Sequence, residues 1–534
     1  MVGLHMFDLQ EQIFEKKLSR LDLYNFVNKS SNHYKVSIYR NHSFEVVEHT
    51  INLFLNYADI NAKFEYSDYD DSLTFFNIDL NADLIILWLD LSRYSLSNVS
   101  EFINERIAYL SSIYKKNILF VPFGKSFKLE KKFSNVITYD LTWVEQNLGD
   151  KFLDLRLEKF SGTKLSPKAS MLVSEDLGLN YIPACLKTPI KAVIFDLDNT
   201  LYKGVLGEDG INGIELTQGH KKLQEKAVAL SKQGFFICIA SKNNEEDVVE
   251  MFKKRDDFPL KLEHITKLCI SWNSKADSIT EIQKFLNIGI SDMLFVDDNM
   301  GELATVKAEH PLINEIHAKD DAQITLKVLE NYPRMLKLNI NYEDLIRKND
   351  TQQNAERERL KNSLSKEEFL KNLEIEITYS LNSKSQATRI SELANKTNQF
   401  ICAYKRYSLK EIEVLMNDPN YLIIAVSLKD KLSDSGIIGV LVFANKDEFI
   451  EIEECFISCR ALGRGIDGNI VLYPIKLAEE HFAKNKFKFI FTDGSRNAPA
   501  KTFVDANLAQ IKNTINEFNV KVDSSLINTQ VVKE

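Results

Sequence analysis

Three apolar runs of strand length, KAVIFDLD (191–198), GFFICIAS (234–241) and DMLFVDD (292–298), each end in a polar residue and are separated by helix-length sequence. Strands buried on both faces read as continuous apolar runs, and joining them by helices requires a parallel sheet with helices on its faces. In an open α/β sheet ligands gather at the carboxyl ends of the strands, so the pattern predicts that Asp196, Ser241 and Asp298 meet in one crevice. An earlier series, YKVSIY (34–39), DLIILWLDL (83–91), NILFVPF (117–123) and NVITYDL (135–141), predicts another α/β domain over 1–185, with the first series in a domain over 186–340. Residues 341–371 are charged and lack Pro and Gly, which predicts a surface-helical linker. After it, LEIEITY, YLIIAVSL, GIIGVLVFA, FIEIEECFIS and FKFIFTDG predict an α+β domain over 372–520, followed by a loose tail over 521–534.

Composition bears on what such a chain binds. Its 534 residues exceed one ordinary hydrophobic core. A formal net charge of −9 argues against a general nucleic-acid binder. The longest apolar run, within ADLIILWLDL, is too short to span a bilayer, and MVGLHMFDLQEQ lacks a signal-peptide pattern, so no membrane insertion and a cytoplasmic location are expected. The six cysteines form no C-x-x-C pair, which predicts reduced thiols.

The stretch DLDNT places Asp196 and Asp198 two positions apart, where one carboxylate can attack a substrate and the other can move protons. Two neighbouring carboxylates repel, and Mg²⁺ would relieve that repulsion while neutralising a phosphate. Thr200 is expected to position the loop through side-chain to backbone hydrogen bonds. Ser241 supplies a hydrogen bond for a phosphoryl oxygen, and Lys275, in WNSK, supplies positive charge. Asp298 completes the metal site with Asp196 and Asp198, Asp297 being its neighbour or alternative. The gaps between Asp196, Ser241 and Lys275 are too short for a large cap domain, so the site is expected to be open or closed by flanking domains.

These four pieces, in this order, resemble the haloacid dehalogenase (HAD) phosphatase superfamily. The resemblance implies that Asp196 is the nucleophile, forming an aspartyl-phosphate, and that Asp198 is the acid and then the base. Together with LSPKASMLVSEDLGL (165–179), KTNQF (396–400) and SCRALGRG (458–465), the stretch DLDNTLYKGVLGEDG looks like the FkbH family. That resemblance implies an N-terminal SGNH-hydrolase-like domain, a HAD domain of the IIIC class and a C-terminal acetyltransferase-like (GNAT) domain. It implies a phosphorylated three-carbon substrate, 1,3-bisphosphoglycerate, whose glyceryl group is loaded onto an acyl carrier protein.

On its own residues, the C-terminal stretch Arg460-Ala-Leu-Gly463-Arg464-Gly465 fits the R/Q-x-x-G-x-G/A loop of the GNAT fold, where backbone N–H groups can cradle coenzyme A or a phosphopantetheine arm. Cys459 is either a small core residue or, beside Arg460 and Arg464, a thiol that accepts an acyl group. Asn398 and Asn497 are either ligands for polar substrate groups or turn formers. Ser43, in Asn41-His42-Ser43, stands where an SGNH-type serine would. No D-x-x-H pair occurs in the first 190 residues, so hydrolysis by this domain is not expected. Two other functions fit the sequence: an acyl-CoA-dependent N-acetyltransferase acting on an amino sugar, fused to the phosphatase, and a non-catalytic scaffold.

Overall fold

The computed structural model describes residues 2–95, 99–125, 127–338, 365–397, 400–458, 461, 465–494, 497–522, 525 and 527–533, together with 353, 357 and 360. It is a mixed α/β multidomain structure in two compact units, the first made of Met1–Lys284 and Ile288–Ile340, the second of Phe285–Asn287 and Asn341–Glu534.

The first unit contains two five-stranded sheets, parallel throughout. One consists of β1 (His33–Arg40), β2 (Asn61–Tyr66), β3 (Leu84–Asp90), β4 (Ile118–Phe123) and β5 (Val136–Thr138), in the order β2-β1-β3-β4-β5. The other consists of β6 (Ala192–Phe195), β7 (Phe236–Ser241), β8 (Lys267–Ile270), β9 (Met293–Asp297) and β10 (Asn314–His317), in the order β10-β9-β6-β7-β8. The strand order reverses between β6 and β9, a topological switch point that opens a crevice at their carboxyl ends. Every residue of β6, β7 and β9 is buried, as strands covered by helices on both faces must be.

The core of the second sheet takes in residues from the N-terminal half of this unit. Leu53, Phe54 and Tyr57, from the helix Glu45–Tyr57, pack with Phe195, Leu223 and Val328 around the second sheet. The first helix, Val2–Phe14, joins the same core through Leu9 and Ile13. Its Gln10 clasps the β10 backbone, donating from Nε2 to His317 O at 2.9 Å and accepting from His317 N at 3.2 Å.

Ser43, in the first sheet's loop, donates to Glu45 at 2.6 Å. His42 is fully buried, its ring on Trp88 and Phe123 and its Nδ1 3.0 Å from Thr163 Oγ1. Asp90, at the end of β3, is wholly buried and tied to Ser92, Arg93 and Lys164. Ser43, Asp90 and His42 Nδ1 are thus bonded within this loop cluster, while His42 Nε2 has no hydrogen-bond partner among the described residues.

The second unit is built on one mixed sheet. Its strands are β11 (Glu376–Leu381), β12 (Phe400–Ile401), β13 (Tyr421–Lys429), β14 (Asp434–Asn445), β15 (Ile450–Ile457), β16 (Lys486–Phe489), β17 (Asn516–Glu517) and β18 (Asn528–Lys533). The order is β17-β16-β15-β14-β13-β11-β18, with β12 also paired to β15. Pairing is antiparallel except between β15 and β16 and between β11 and β18.

Two expectations are corrected here. The chain after Val520 is not loose, because Asn528–Lys533 adds main-chain hydrogen bonds along the edge of β11. The charged segment before residue 371 is not all surface: Arg357 is buried and pairs through Nε and Nη2 with Asp430 at 2.8 and 3.0 Å. Among the described residues no helix is long and apolar enough to cross a membrane. The described cysteines, Cys185, Cys238, Cys269, Cys402 and Cys455, are all free and buried.

Candidate active site

The second sheet delivers its acids from adjacent strands. Asp196 follows the last residue of β6, and its N–H bonds Val296 O of β9 at 2.9 Å, which fixes the first acid beside the end of that strand. Asp297 ends β9 and Asp298 follows it. Ligand oxygens of Asp196, Asp297 and Asp298 all lie within 4.8 Å of one another. Lys275, first residue of the helix Lys275–Leu286, sits between two of them, with Nζ 3.0 Å from Asp196 Oδ1 and 2.6 Å from Asp297 Oδ2. Asp196, Ser241, Lys275 and Asp297 are all at least 95% buried, so the charges of Asp196, Lys275 and Asp297 act on one another with little screening by water.

The electrostatics follow from that burial. Desolvation pushes the Asp196 carboxyl up to about 6, opposed by Lys275 and reinforced by Asp297. Desolvation raises Asp297 as well, against the pull of Lys275, and raises Asp298 with help from the Asp196 charge. Burial alone would lower Lys275, but Asp196 and Asp297 more than offset it, so it stays an ammonium. Among the described residues three clustered carboxylates thus share the Lys275 ammonium. A set of hard oxygens with excess negative charge fits Mg²⁺.

The structure thus brings Asp196, Asp198, Ser241, Lys275, Asp297 and Asp298 to one crevice, with two roles redistributed. Asp198 was expected to share the cation through its carboxylate, but it is not one of the three clustered acids. Its Oδ1 accepts from Tyr202 Oη at 2.7 Å and from Leu206 N at 3.0 Å, and its Oδ2 accepts from Asn243 Nδ2 at 3.0 Å. Asp297, the expected neighbour, is the acid that grips Lys275. Thr200 is 1% exposed and its Oγ1 has no hydrogen-bond partner among the described residues. The loop is fixed instead by backbone, Thr200 N and Leu201 N bonding Leu197 O at 3.1 and 2.9 Å, and by Asn199 Oδ1 accepting from Gly204 N at 2.9 Å.

No large cap interrupts the crevice. Between β6 and β7 the chain makes only the helices Leu206–Gly213 and Gln218–Lys232, and between β7 and β8 the helix Glu245–Lys254 and one short turn.

In the second unit, Asn398, Cys459, Arg460, Gly463 and Arg464 lie outside the described residues. Gly465 is exposed with φ 74°, a left-handed conformation suited to glycine, just before the helix Asp467–Phe482. Asn497 is 1% exposed and acts as a brace rather than as a group offered to substrate. Its Nδ2 donates to Ile401 O and Thr492 O, both at 3.0 Å, and its Oδ1 accepts from Gly494 N at 3.0 Å.

Tyr202 and Asn243 were not singled out from sequence. Both lie inside recognised stretches, DLDNTLYKG and IASKN, yet the partner each side chain meets depends on the turn of two separate loops.

No family model matches the chain, and no curated protein matches it. Among solved structures it is similar to the N-terminal part of a Bacteroides fragilis protein containing a phosphatase domain complexed with Mg, at 20% identity and a TM-score of 0.45, over 62% of this chain and 99% of that one. It is also similar to a HAD family enzyme of Bacteroides thetaiotaomicron in complex with magnesium and inorganic phosphate, at 13% identity and a TM-score of 0.17, over 44% of this chain and 93% of that one. A spermidine N-acetyltransferase mutant from Vibrio cholerae is similar at 15% identity and a TM-score of 0.19, over 24% of this chain and 77% of that one.

Proposed function

We propose that the first unit is a Mg²⁺-dependent phosphatase of the HAD type that acts through an aspartyl-phosphate. The observation that supports it most is Lys275 set between Asp196 and Asp297, with Asp298, Ser241 and Asp198 around the same crevice. Phosphoryl transfer needs an in-line nucleophile, neutralised charge and a placed proton donor, and these residues supply each. An Asp196 oxygen bonds phosphorus as the bond to the leaving oxygen breaks, and Asp198 gives that oxygen its proton. Water then bonds phosphorus, its proton passing to Asp198, and the Asp196–phosphorus bond breaks to release inorganic phosphate. Lys275 and the Ser241 hydroxyl stabilise the phosphoryl oxygens. Asp196, Asp297 and Asp298 would hold Mg²⁺, which supplies further charge neutralisation when bound.

The FkbH resemblance supports a finer reading. The substrate is 1,3-bisphosphoglycerate, and the glyceryl group is loaded onto an acyl carrier protein with the C-terminal loop from Cys459 to Gly465 taking part. Phosphate release with Mg²⁺ tests the first part. We expect it in wild type and its loss in Asp196→Asn, which keeps the shape but removes the nucleophile. Wild type no faster than Asp196→Asn, across phosphoglycerates and generic phosphoesters, rules the reading out. Intact-mass spectrometry after incubation with 1,3-bisphosphoglycerate and a carrier protein tests the second part, through a glyceryl mass shift on either protein.

A further inference from the structure

Asp198 is held at three points, and the three differ in what they fix. Tyr202 is fully buried, its ring stacked on Phe258 at 5.9 Å and 26°, so its hydroxyl is carried to Asp198 Oδ1 by packing. Burial, with the Asp198 charge beside it, raises Tyr202 well above the ordinary tyrosine range, so it remains a donor. Leu206 N–H takes the second lone pair of the same oxygen. Among the described residues Oδ2 accepts only from Asn243, which leaves one lone pair open.

Asn243, 4% exposed, also donates from Nδ2 to Ser241 Oγ at 3.2 Å. An amide nitrogen carries two hydrogens, and these two bonds use both. Because Ser241 Oγ accepts on that side, its own hydrogen is turned away from Asn243. Turning the amide over would set its oxygen against the Asp198 carboxylate, so the network admits one orientation.

We infer that Tyr202 and Asn243 are positioning residues for the proton transfers at Asp198: Tyr202 pins Oδ1 and leaves Oδ2 as the reacting oxygen, and one Asn243 amide aligns that oxygen together with the Ser241 hydroxyl. The inference rests on the phosphatase reading above. In the first step the proton on Oδ2 passes to the leaving oxygen as its bond to phosphorus breaks. In the second, Oδ2 takes a proton from water as the water oxygen bonds phosphorus and the bond to Asp196 breaks.

The test uses the full chain with Mg²⁺ and two probes, p-nitrophenyl phosphate and glycerol 3-phosphate. Tyr202→Phe removes one oxygen and keeps the ring, and Asn243→Ala removes the amide; each is expected to lower kcat about 10–100-fold, as loss of an orienting partner does elsewhere. KM should stay within about twofold, since neither group touches the ground-state substrate. The loss should be larger for glycerol 3-phosphate, whose alkoxide leaves poorly without a proton. Asn243→Asp carries the sharpest signature: a carboxylate facing a carboxylate should depress kcat below that of Asn243→Ala at neutral pH and recover in part below about pH 5, as the new acid protonates. A packing role gives no such inversion. Variants with the wild-type melting temperature, kcat and pH limbs would overturn the inference. That outcome is distinct from a wild type no faster than Asp196→Asn, which removes the phosphatase reading itself.

Discussion

Two buried carboxylates near the switch point show how one residue's surroundings decide its charge. Asp297 has Lys275 at 2.6 Å. Glu315, on the neighbouring strand β10, has among the described residues only Lys307, 4.0 Å away, and that ammonium is already bonded to Ile313 O at 2.5 Å. Glu315 is 2% exposed and its Oε1 has no hydrogen-bond partner among the described residues. Burial pushes its carboxyl up to about 7, only partly opposed by Lys307 and reinforced by Asp297. A folded-state value above the unfolded one means that folding favours the protonated form. The stability this confers is present below about pH 4.5 and is lost as pH rises through about 7. The loss amounts to about 3 kcal/mol at full deprotonation. Glu315→Gln keeps the shape without the ionisation, so its urea midpoint should exceed that of wild type at pH 8 and match it at pH 5. Equal midpoints at both pH values would refute this assignment. The sequence exposed Asp196, Asp198, Ser241, Lys275 and Asp298 because their spacing is a local property. It hid Glu315, Tyr202 and Asn243 because their importance lies in what folds against them.

Elements divide along a similar line. The inner strands β3, β4, β6, β7 and β9 were legible as apolar runs because helices cover both their faces. The edge strands β2 (NAKFEY), β8 (KLCI) and β10 (NEIH) were missed, since an edge strand is short and carries polar residues. β12 is a harder case, two residues long and defined by its neighbours rather than by its own pattern. Cys402 N, just after it, bonds Cys455 O at 3.1 Å, and Thr492 N bonds Cys402 O at 2.8 Å, so the segment is wedged between β15 and the chain that follows β16. Glu454 anchors it, its buried carboxylate accepting from the N–H groups of Cys402, Ala403 and Lys405 at 2.8, 2.9 and 2.7 Å, and from Cys455 N at 2.9 Å. A neutral amide at 454 would turn one acceptor into a donor facing N–H groups. Glu454→Gln is therefore expected to cost about 3 kcal/mol of stability, read as a lowered urea midpoint. A change below about 0.5 kcal/mol would mean that water or another acceptor replaces the carboxylate.

At the scale of the chain, the two parallel sheets of the first unit were readable as separate α/β series, and the sequence suggested a boundary near residue 185. Core contacts run across that point. Leu53, Phe54 and Tyr57 face away from their own sheet and fill the core beneath Phe195, and the first helix is clasped to His317 of β10. Nothing in the periodicity of INLFLNY could announce this, because a helix apolar on two faces reads the same whether its second face meets a partner domain or a loop. The consequence is energetic. The helix Glu45–Tyr57 serves both cores, Val47, Ile51 and Leu55 packing with the first sheet and Leu53, Phe54 and Tyr57 with the second, so loss of either core strips one face of that helix and the two should open as one cooperative unit. Native-state hydrogen exchange on the full chain should then give peptides containing β3 and β6 the same opening free energy. Phe54→Ala removes a side chain that is 1% exposed and should lower both by about 3–5 kcal/mol, although Phe54 belongs to neither strand. A loss confined to the β3 peptide would show that the sheets are independently stable. In that case the Asp196 site would owe nothing to the N-terminal half, and any influence of that half on catalysis would have to come from surface contacts with substrate.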